Sequence, residues 1–392
     1  MAKSDLLDEL KGGQTQFTLV GKAIVKDGSL AGEIMKEGKT WKHVDSSIIV
    51  DTGDSNNIFV RIWGGYKIDN PVLIKFNNGE KHEIPWSERF EEHHLDKLSY
   101  HQKLTAGLER DADGKLIIKE FINEIDFEAY LREHLADGME IRARGEAEYS
   151  PGKDGATYRR FNLKSVYAVE EYTDKDGVFQ PVVYEATLRQ TYLADENSLS
   201  RRWEKELEKD GETLISLFVP QYLSQKKVGE KYVPYKRTDP LPQDVKLVAN
   251  LDDERDLKIK KAVAKMLFEV GRNTVREVVV NVKIVDGYET VTGAVEVTKD
   301  LQELIDLGVL TLEQVQKQAT IRGTRVSELV YSVPAMRKLE DGTMSINMTD
   351  DKYSPQVLMV PEIDGEVEVK KVDDSNADVN VTEEEFAKMF EM

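Results

Sequence analysis

The chain has no cysteine among its 392 residues. That excludes disulfides and thiolate metal sites. It has no apolar run long enough to span a bilayer. Its first residues, "MAKSDLLDELKGG", lack the apolar core of a signal peptide. A cytosolic protein is therefore expected. Phosphate-cradling loops of the GxxxxGK or GxGxxG type are missing, and so is the HExxH helix of zinc hydrolases. "EEHH" (Glu91 to His94), with His82 and His101 nearby, has the wrong spacing for that helix and reads as a solvated helical face. "DADG" (Asp111 to Gly114) and "DKDG" (Asp174 to Gly177) are turns, without the sixth-position Gly and distal Glu of a calcium loop. No Ser–His–Asp set can be assembled. These absences argue against an enzyme, and no catalytic residue, metal or cofactor is assigned.

Charge is what the chain has in quantity. Asp and Glu number 73 against 54 Lys and Arg, a formal net charge of −19. Glu362 to Met392 alone holds eleven acidic and three basic residues, a net of −8, which leaves −11 for the rest. Any site for a polyanion must therefore be a local groove.

Hydrophobic periodicity divides the chain. Residues 1–15 read as an N-terminal arm, a short helix or frayed. "QFTLVGKAIV" (Gln16 to Val25), "KTWKHVDSSIIVDT" (Lys39 to Thr52) and "NNIFVRIWGG" (Asn56 to Gly65) alternate as strands, with "GDSN" (Gly53 to Asn56) as a hairpin turn. Residues 69–118 read as an insertion. "DFEAYLREHLADG" follows at helical spacing, with Asp126 as N-cap and Gly138 as the C′ residue. "MEIRARGEAEYS" and "YRRFNLKSVYAVEEY" alternate again. Three strands, a helix and two strands is the order of the five-stranded Greek-key barrel called the OB-fold, assigned to residues 16–172.

Residues 173–182 read as a linker and 183–361 as a second, divergent OB-like domain with helical additions. In it "SQKKVGEKYVPYKRTDPLPQD" (Ser224 to Asp244) reads as a long loop, and "DG" (Asp286, Gly287) as a turn between two strands. "DLQELIDLGVLTLEQVQKQAT" reads as two short helices. Whether residues 300–361 complete this domain or form a third stays open. The fold class is thus mainly β with helical insertions (α+β). Residues 362–392 are too acidic and apolar-poor to fold alone.

Three groups of residues suit single-strand binding, in which rings stack bases and cations track phosphates. The first lies on strands two and three: Lys39, Trp41, Lys42, Phe59, Arg61 and Trp63. Alternation sets Phe59, Arg61 and Trp63 on one face and Ile58, Val60 and Ile62 on the other. The aliphatic face belongs to the barrel core, so the aromatic one points outward, either to stack bases or to cover the insertion. The second is the hairpin "YSPGKDGATYRRF", with Tyr149, Lys153, Tyr158, Arg159 and Arg160; its rings could instead pack on their own sheet. The third is "YLSQKKVGEKYVPYKR", the most basic window, with Tyr222, Lys226, Lys227, Tyr232, Tyr235, Lys236 and Arg237, which could equally be a mobile surface loop. At the C-terminus, Phe386, Met389 and Phe390 fall at i, i+3 and i+4, an apolar stripe that fits a groove on a partner protein.

"FTLVGKA", "FVRIWGG", "DFEAYLREHLADGMEIRARGEAEYS" and "YRRFNLKSVYAV" together resemble the single-stranded DNA-binding proteins of tailed bacteriophages, over about Phe17 to Glu171. The acidic, apolar-tipped tail is similar to those of bacterial single-stranded DNA-binding proteins, without their terminal Pro-Phe pair. The resemblance implies a non-enzymatic, sequence-tolerant binder of single-stranded DNA in phage replication or recombination. Replication or recombination proteins are then the partners expected at the tail. A phage structural or assembly protein using OB-like modules for protein contacts is the alternative.

Overall fold

The structure is a computed structural model. It describes residues 6–360 except 78–79, 100–101, 153–154, 174, 176, 229–230, 292–304 and 306–320. The acidic tail with Phe386, Met389 and Phe390, and most of the segment read as two short helices, lie outside the described residues.

β1 (Thr15–Ile24), β2 (Trp41–Asp51) and β3 (Asn57–Lys67) form a meander, followed after the insertion by α1 (Glu124–His134), β4 (Glu140–Pro151) and β5 (Thr157–Ala168). Lys22–Ile24 of β1 pair with β2, β2 pairs with β3, and β3 meets β5 in parallel at Arg61 and Asn162. β5 pairs antiparallel with β4, and β4 returns to β1. This closed ring, with a helix between its third and fourth strands, is an OB barrel. Period-two burial sets its inside and outside: Ile141, Ala143, Ala147 and Tyr149 of β4 are buried, while Arg142, Arg144, Glu146 and Glu148 are exposed. α1 is capped by Asn123, whose side chain accepts from the Asp126 N–H at 2.9 Å. Asp126, expected as the cap, lies instead in the first turn, where its carboxylate also binds Arg89 Nε at 2.9 Å.

The insertion is woven into this barrel. It holds a hairpin (Val72–Asn77 with Glu80–Pro85), a turn (Trp86–Glu88), a short helix (Glu92–Asp96) and two strands (Leu104–Arg110 and Leu116–Phe121). The first of those strands runs parallel to Ser165–Tyr167 of β5. A bulge between Leu163 and Ser165 marks where β5 leaves β3 for this new neighbour.

β6 (Glu185–Ala194), α2 (Trp203–Asp210), β7 (Glu212–Val228), β8 (Lys231–Val248), α3 (Glu254–Phe268), β9 (Val275–Val291) and β10 (Ile321–Pro334) repeat the plan. β6 pairs with β7, β7 with β8, β8 in parallel with β10, β10 with β9, and β9 with β6. This is a second OB barrel. β10 completes it, and Met348–Tyr353 pairs with the start of β9, so both segments belong to this barrel.

Three further readings of the sequence need correction. Ser224 to Asp244 is not a loop but most of the long β7–β8 hairpin. Its prolines face one another (Pro220 with Pro240) or sit at ladder positions on this two-stranded arm, where a missing N–H is tolerated. Asp286-Gly287 is not a turn, because β9 runs straight through it. The Gly serves a close approach: a Cβ there would lie 2.3 Å from Ser55 O. Ser55 belongs to the β2–β3 turn, whose Asn56 accepts from the Asp286 N–H at 2.7 Å and donates to Ile284 O at 3.0 Å. The N-terminal arm is neither helical nor loose where described, since Leu7 bridges to Tyr353, and Leu10 is buried against the second barrel.

The barrels are joined through their first strands. Thr15–Val20 of β1 pair antiparallel with Glu185–Gln190 of β6, before β1 turns to β2. Gly21 sits at that change of partner, where a Cβ would lie 2.1 Å from Asp51 O. One cluster of buried side chains runs through both barrels, from Phe17 to Tyr331. Among the described residues no helix is long and apolar enough to cross a membrane.

Candidate nucleic-acid interface

The outward face of the first barrel runs across β2, β3, β5 and β4. Ile58, Val60 and Ile62 are fully buried, which leaves Phe59, Arg61 and Trp63 on the outside as alternation requires. Cross-strand register sets Phe59 opposite Ile49, Arg61 opposite Ser47, and Trp63 opposite Asp45. On the other flank Arg61 adjoins Asn162, so Tyr158, Arg160, Asn162 and Lys164 of β5 continue the same face. Phe59 is 37% exposed and Tyr158 44% exposed. Trp41 opens β2 half-buried, opposite Lys67, with exposed Lys39 just before it.

Two of the cations are already engaged. Arg61 Nε donates to Asp45 Oδ1 at 2.7 Å, and its guanidinium lies 5.6 Å from the Trp63 ring. Lys42 is ion-paired with Glu33, which holds its ammonium above the ordinary value. His43 adds no charge, because burial pushes its imidazole below the ordinary value. The centre of the face keeps unused donors. Trp63 Nε1 and Arg61 Nη2 are shielded from solvent without a partner among the described residues, where an unpaired donor costs about 1–3 kcal/mol.

Residue-type counting missed part of this face. Arg142 and Arg144 alternate outward on β4 and, like Arg160 and Lys164, take part in no ion pair among the described residues. The insertion adds Lys75. Burial lowers its ammonium, Glu124 offsets part of this, and the nearby Lys164 repels it. The R-x-R alternation in "MEIRARGE" was the available signal.

Tyr149 is the clear correction. It is fully buried, and its hydroxyl donates to Gln190 Oε1 at 3.1 Å. Burial pushes its phenol up to about 12. It shares the inward parity of Ile141 to Ala147, so it is a core ring between the barrels and cannot stack a base. Arg159, directly opposite, lies 5.4 Å from the Phe161 ring, on that same inward side. Lys153 lies outside the described residues.

In the second barrel, Tyr235, Lys226 and Asp239 form a closed network. Tyr235 donates to Asp239 Oδ1 at 2.8 Å, while Lys226 lies 3.6 Å from Asp239 Oδ2 and 4.9 Å from the Tyr235 ring. Burial and then Asp239 raise the Tyr235 phenol to about 12. These residues brace the hairpin. Tyr222, Lys227, Tyr232 and Lys236 stay exposed along it, and Arg237 is half-buried. Lys236 sits at the hairpin's irregularity with φ 51°.

The structure brings the second and third groups together. The Tyr149 N–H donates to Gln221 Oε1 at 3.1 Å, so the β7–β8 arm leans on the β4–β5 hairpin. A cleft of about 380 Å³ lies between Gly155–Thr157 and the second barrel. Its Lys246 is held by Glu328 at 2.8 Å and Glu212 at 3.4 Å, so the cleft offers an anion no free cation there.

Solved structures that resemble the chain include two of one protein. One is the wild-type single-stranded DNA binding protein from Thermus aquaticus, at 11% identity and a TM-score of 0.26, covering 70% of this chain and 87% of that one. The other is a deletion mutant of the same protein, at 13% identity and a TM-score of 0.28, covering 71% and 89%. Superpositions this loose carry no argument, and the OB assignment rests on the strand pairing above. No protein-family model matches the chain. No curated protein matches it either.

Proposed function

We propose that the chain is a non-enzymatic, sequence-tolerant binder of single-stranded DNA, acting in phage replication or recombination. The carrying observation is the continuous outward face of the first barrel. Phe59, Trp63 and Tyr158 share it with Arg160 and Lys164, on a protein that is acidic overall. Rings at that spacing stack bases of any sequence, and flanking cations neutralise phosphates. The exposed rings and lysines of the β7–β8 arm would extend the path to the second barrel. The role in phage DNA metabolism rests on the resemblance of the barrel segments.

The test is a titration of the full chain with oligo(dT) against duplex and RNA competitors over a range of salt. Single-strand affinity should fall with salt as counterions are released. Arg160→Ala and Lys164→Ala should each lower the slope of log K against log salt by about 0.7, the single-strand value per phosphate. Arg159→Ala should change it little, because that side chain faces inward. A salt-independent affinity, or no binding at low salt, would favour a protein-contact role for the barrels.

A further inference from the structure

We propose that Glu88, Glu91, His93 and His94, in the insertion of the first barrel, bind a divalent transition metal of the zinc class. One ligand atom from each side chain lies within 4.8 Å of all the others. Two of the separations are already short: His94 Nε2 to Glu88 Oε2 is 3.2 Å, and His93 Nδ1 to Glu91 Oε2 is 3.1 Å. Zinc bonds of about 2.0–2.2 Å in a tetrahedron require ligand separations of roughly 3.3 Å. The glutamates are about half exposed, so rotation of their side chains can close the rest.

The backbone presets this geometry. The Glu91 N–H donates to Glu88 O and the His94 N–H to Glu91 O, both at 3.0 Å. Glu88, Glu91 and His94 thus come from successive turns at a spacing of three, and His93 joins from the next position. The segment is anchored on both sides. Trp86 stacks on Tyr66 at 3.9 Å, and Leu95 and Leu98 enter a small core with Leu73, Ile84 and Ile122.

The electrostatics agree. Arg89, between the two glutamates in sequence, is drawn away. Its Nε donates to Asp126, its Nη1 to Trp86 O at 2.8 Å, and its guanidinium lies 4.1 Å from the Trp86 and Phe90 rings. The carboxylates of Glu88 and Glu91 therefore face imidazoles rather than a fixed cation. Two imidazoles and two carboxylates suit zinc and its neighbours better than magnesium or calcium, which favour oxygen-only sets. Four protein ligands make a closed site, so the metal would clamp the insertion rather than do chemistry.

Zinc titrated into metal-free full-length protein, in competition with a chromophoric chelator, measures the site directly. Cobalt substitution reports its geometry. The expected result is one equivalent bound at micromolar concentration or tighter, with a tetrahedral cobalt spectrum. His93→Ala and Glu91→Gln both change exposed side chains that the fold does not need. Each should weaken binding by about tenfold or more, the least that loss of a ligand costs when outer partners already cost 10–100-fold. His82→Ala should leave it unchanged. Absence of binding at micromolar zinc, or binding indifferent to both substitutions, would overturn the proposal.

Discussion

Tyr149→Ala should destabilise the protein by about 3–5 kcal/mol, the usual cost of emptying a large aromatic site in a packed core. The ring is fully buried among both barrels, opposite Arg159 and beside Gln190 and Tyr192. Tyr149→Phe keeps the volume and removes only the hydroxyl, leaving Gln190 Oε1 without that donor. Its cost should be about 1–3 kcal/mol. Thermal or denaturant melting separates the two variants. Since the ring touches no proposed ligand, the Phe variant should bind oligo(dT) as the parent does. A Tyr149→Phe protein of unchanged stability that loses single-strand binding would return Tyr149 to the interface.

Phe59→Ala and Tyr158→Ala should act the other way round. Each ring is more than a third exposed, so truncation leaves the melting transition nearly where it was. Each should weaken single-strand binding by roughly 1–3 kcal/mol, about 5- to 150-fold in Kd, if it stacks a base. Trp63 is a less clean probe, because its Nε1 is shielded and its ring neighbours Arg61. Its removal would also disturb the Arg61–Asp45 pair. Fluorescence titration with oligo(dT), run beside melting curves, measures both quantities. Unaltered affinity in Phe59→Ala and Tyr158→Ala would move the interface off this face.

The first barrel was legible because its strands alternate cleanly on both sides of one helix-spaced segment, although that helix is capped by Asn123 rather than Asp126 and ends at Leu135, three residues before the Gly138 expected to close it. The same alternation held more than was taken from it. Reading "MEIRARGEAEYS" at period two places Tyr149 inside and Arg142 and Arg144 outside. Composition around the "PGKDG" turn pulled Tyr149 into the site instead. The second barrel hid its third strand, β8, behind Pro234, Pro240 and Pro242. Proline argues against a central strand but is tolerated on a two-stranded arm. Asp286-Gly287 misled for a related reason. The pair is a common turn signal, but here the missing side chain admits the backbone of Ser55 from the other barrel. Contacts of that kind, like the pairing of β1 with β6 and the meeting of the two hairpins, join segments 72 residues apart or more. No local pattern encodes them. The Glu88–His94 cluster was passed over because HExxH was the pattern sought, whereas these ligands sit at a spacing of three along a tight turn.

The central claim is that one face of the first barrel holds single-stranded DNA. Photo-cross-linking of the full chain to an oligo(dT) carrying halogenated uracils, with the attached residues mapped by mass spectrometry, tests it most directly. The account predicts adducts at Phe59, Trp63 and Tyr158, with further ones at Tyr222 or Tyr232 on the β7–β8 arm as the oligonucleotide lengthens, and loss of them at high salt. Adducts confined to other surfaces, or none under conditions where the oligonucleotide is bound, would contradict it.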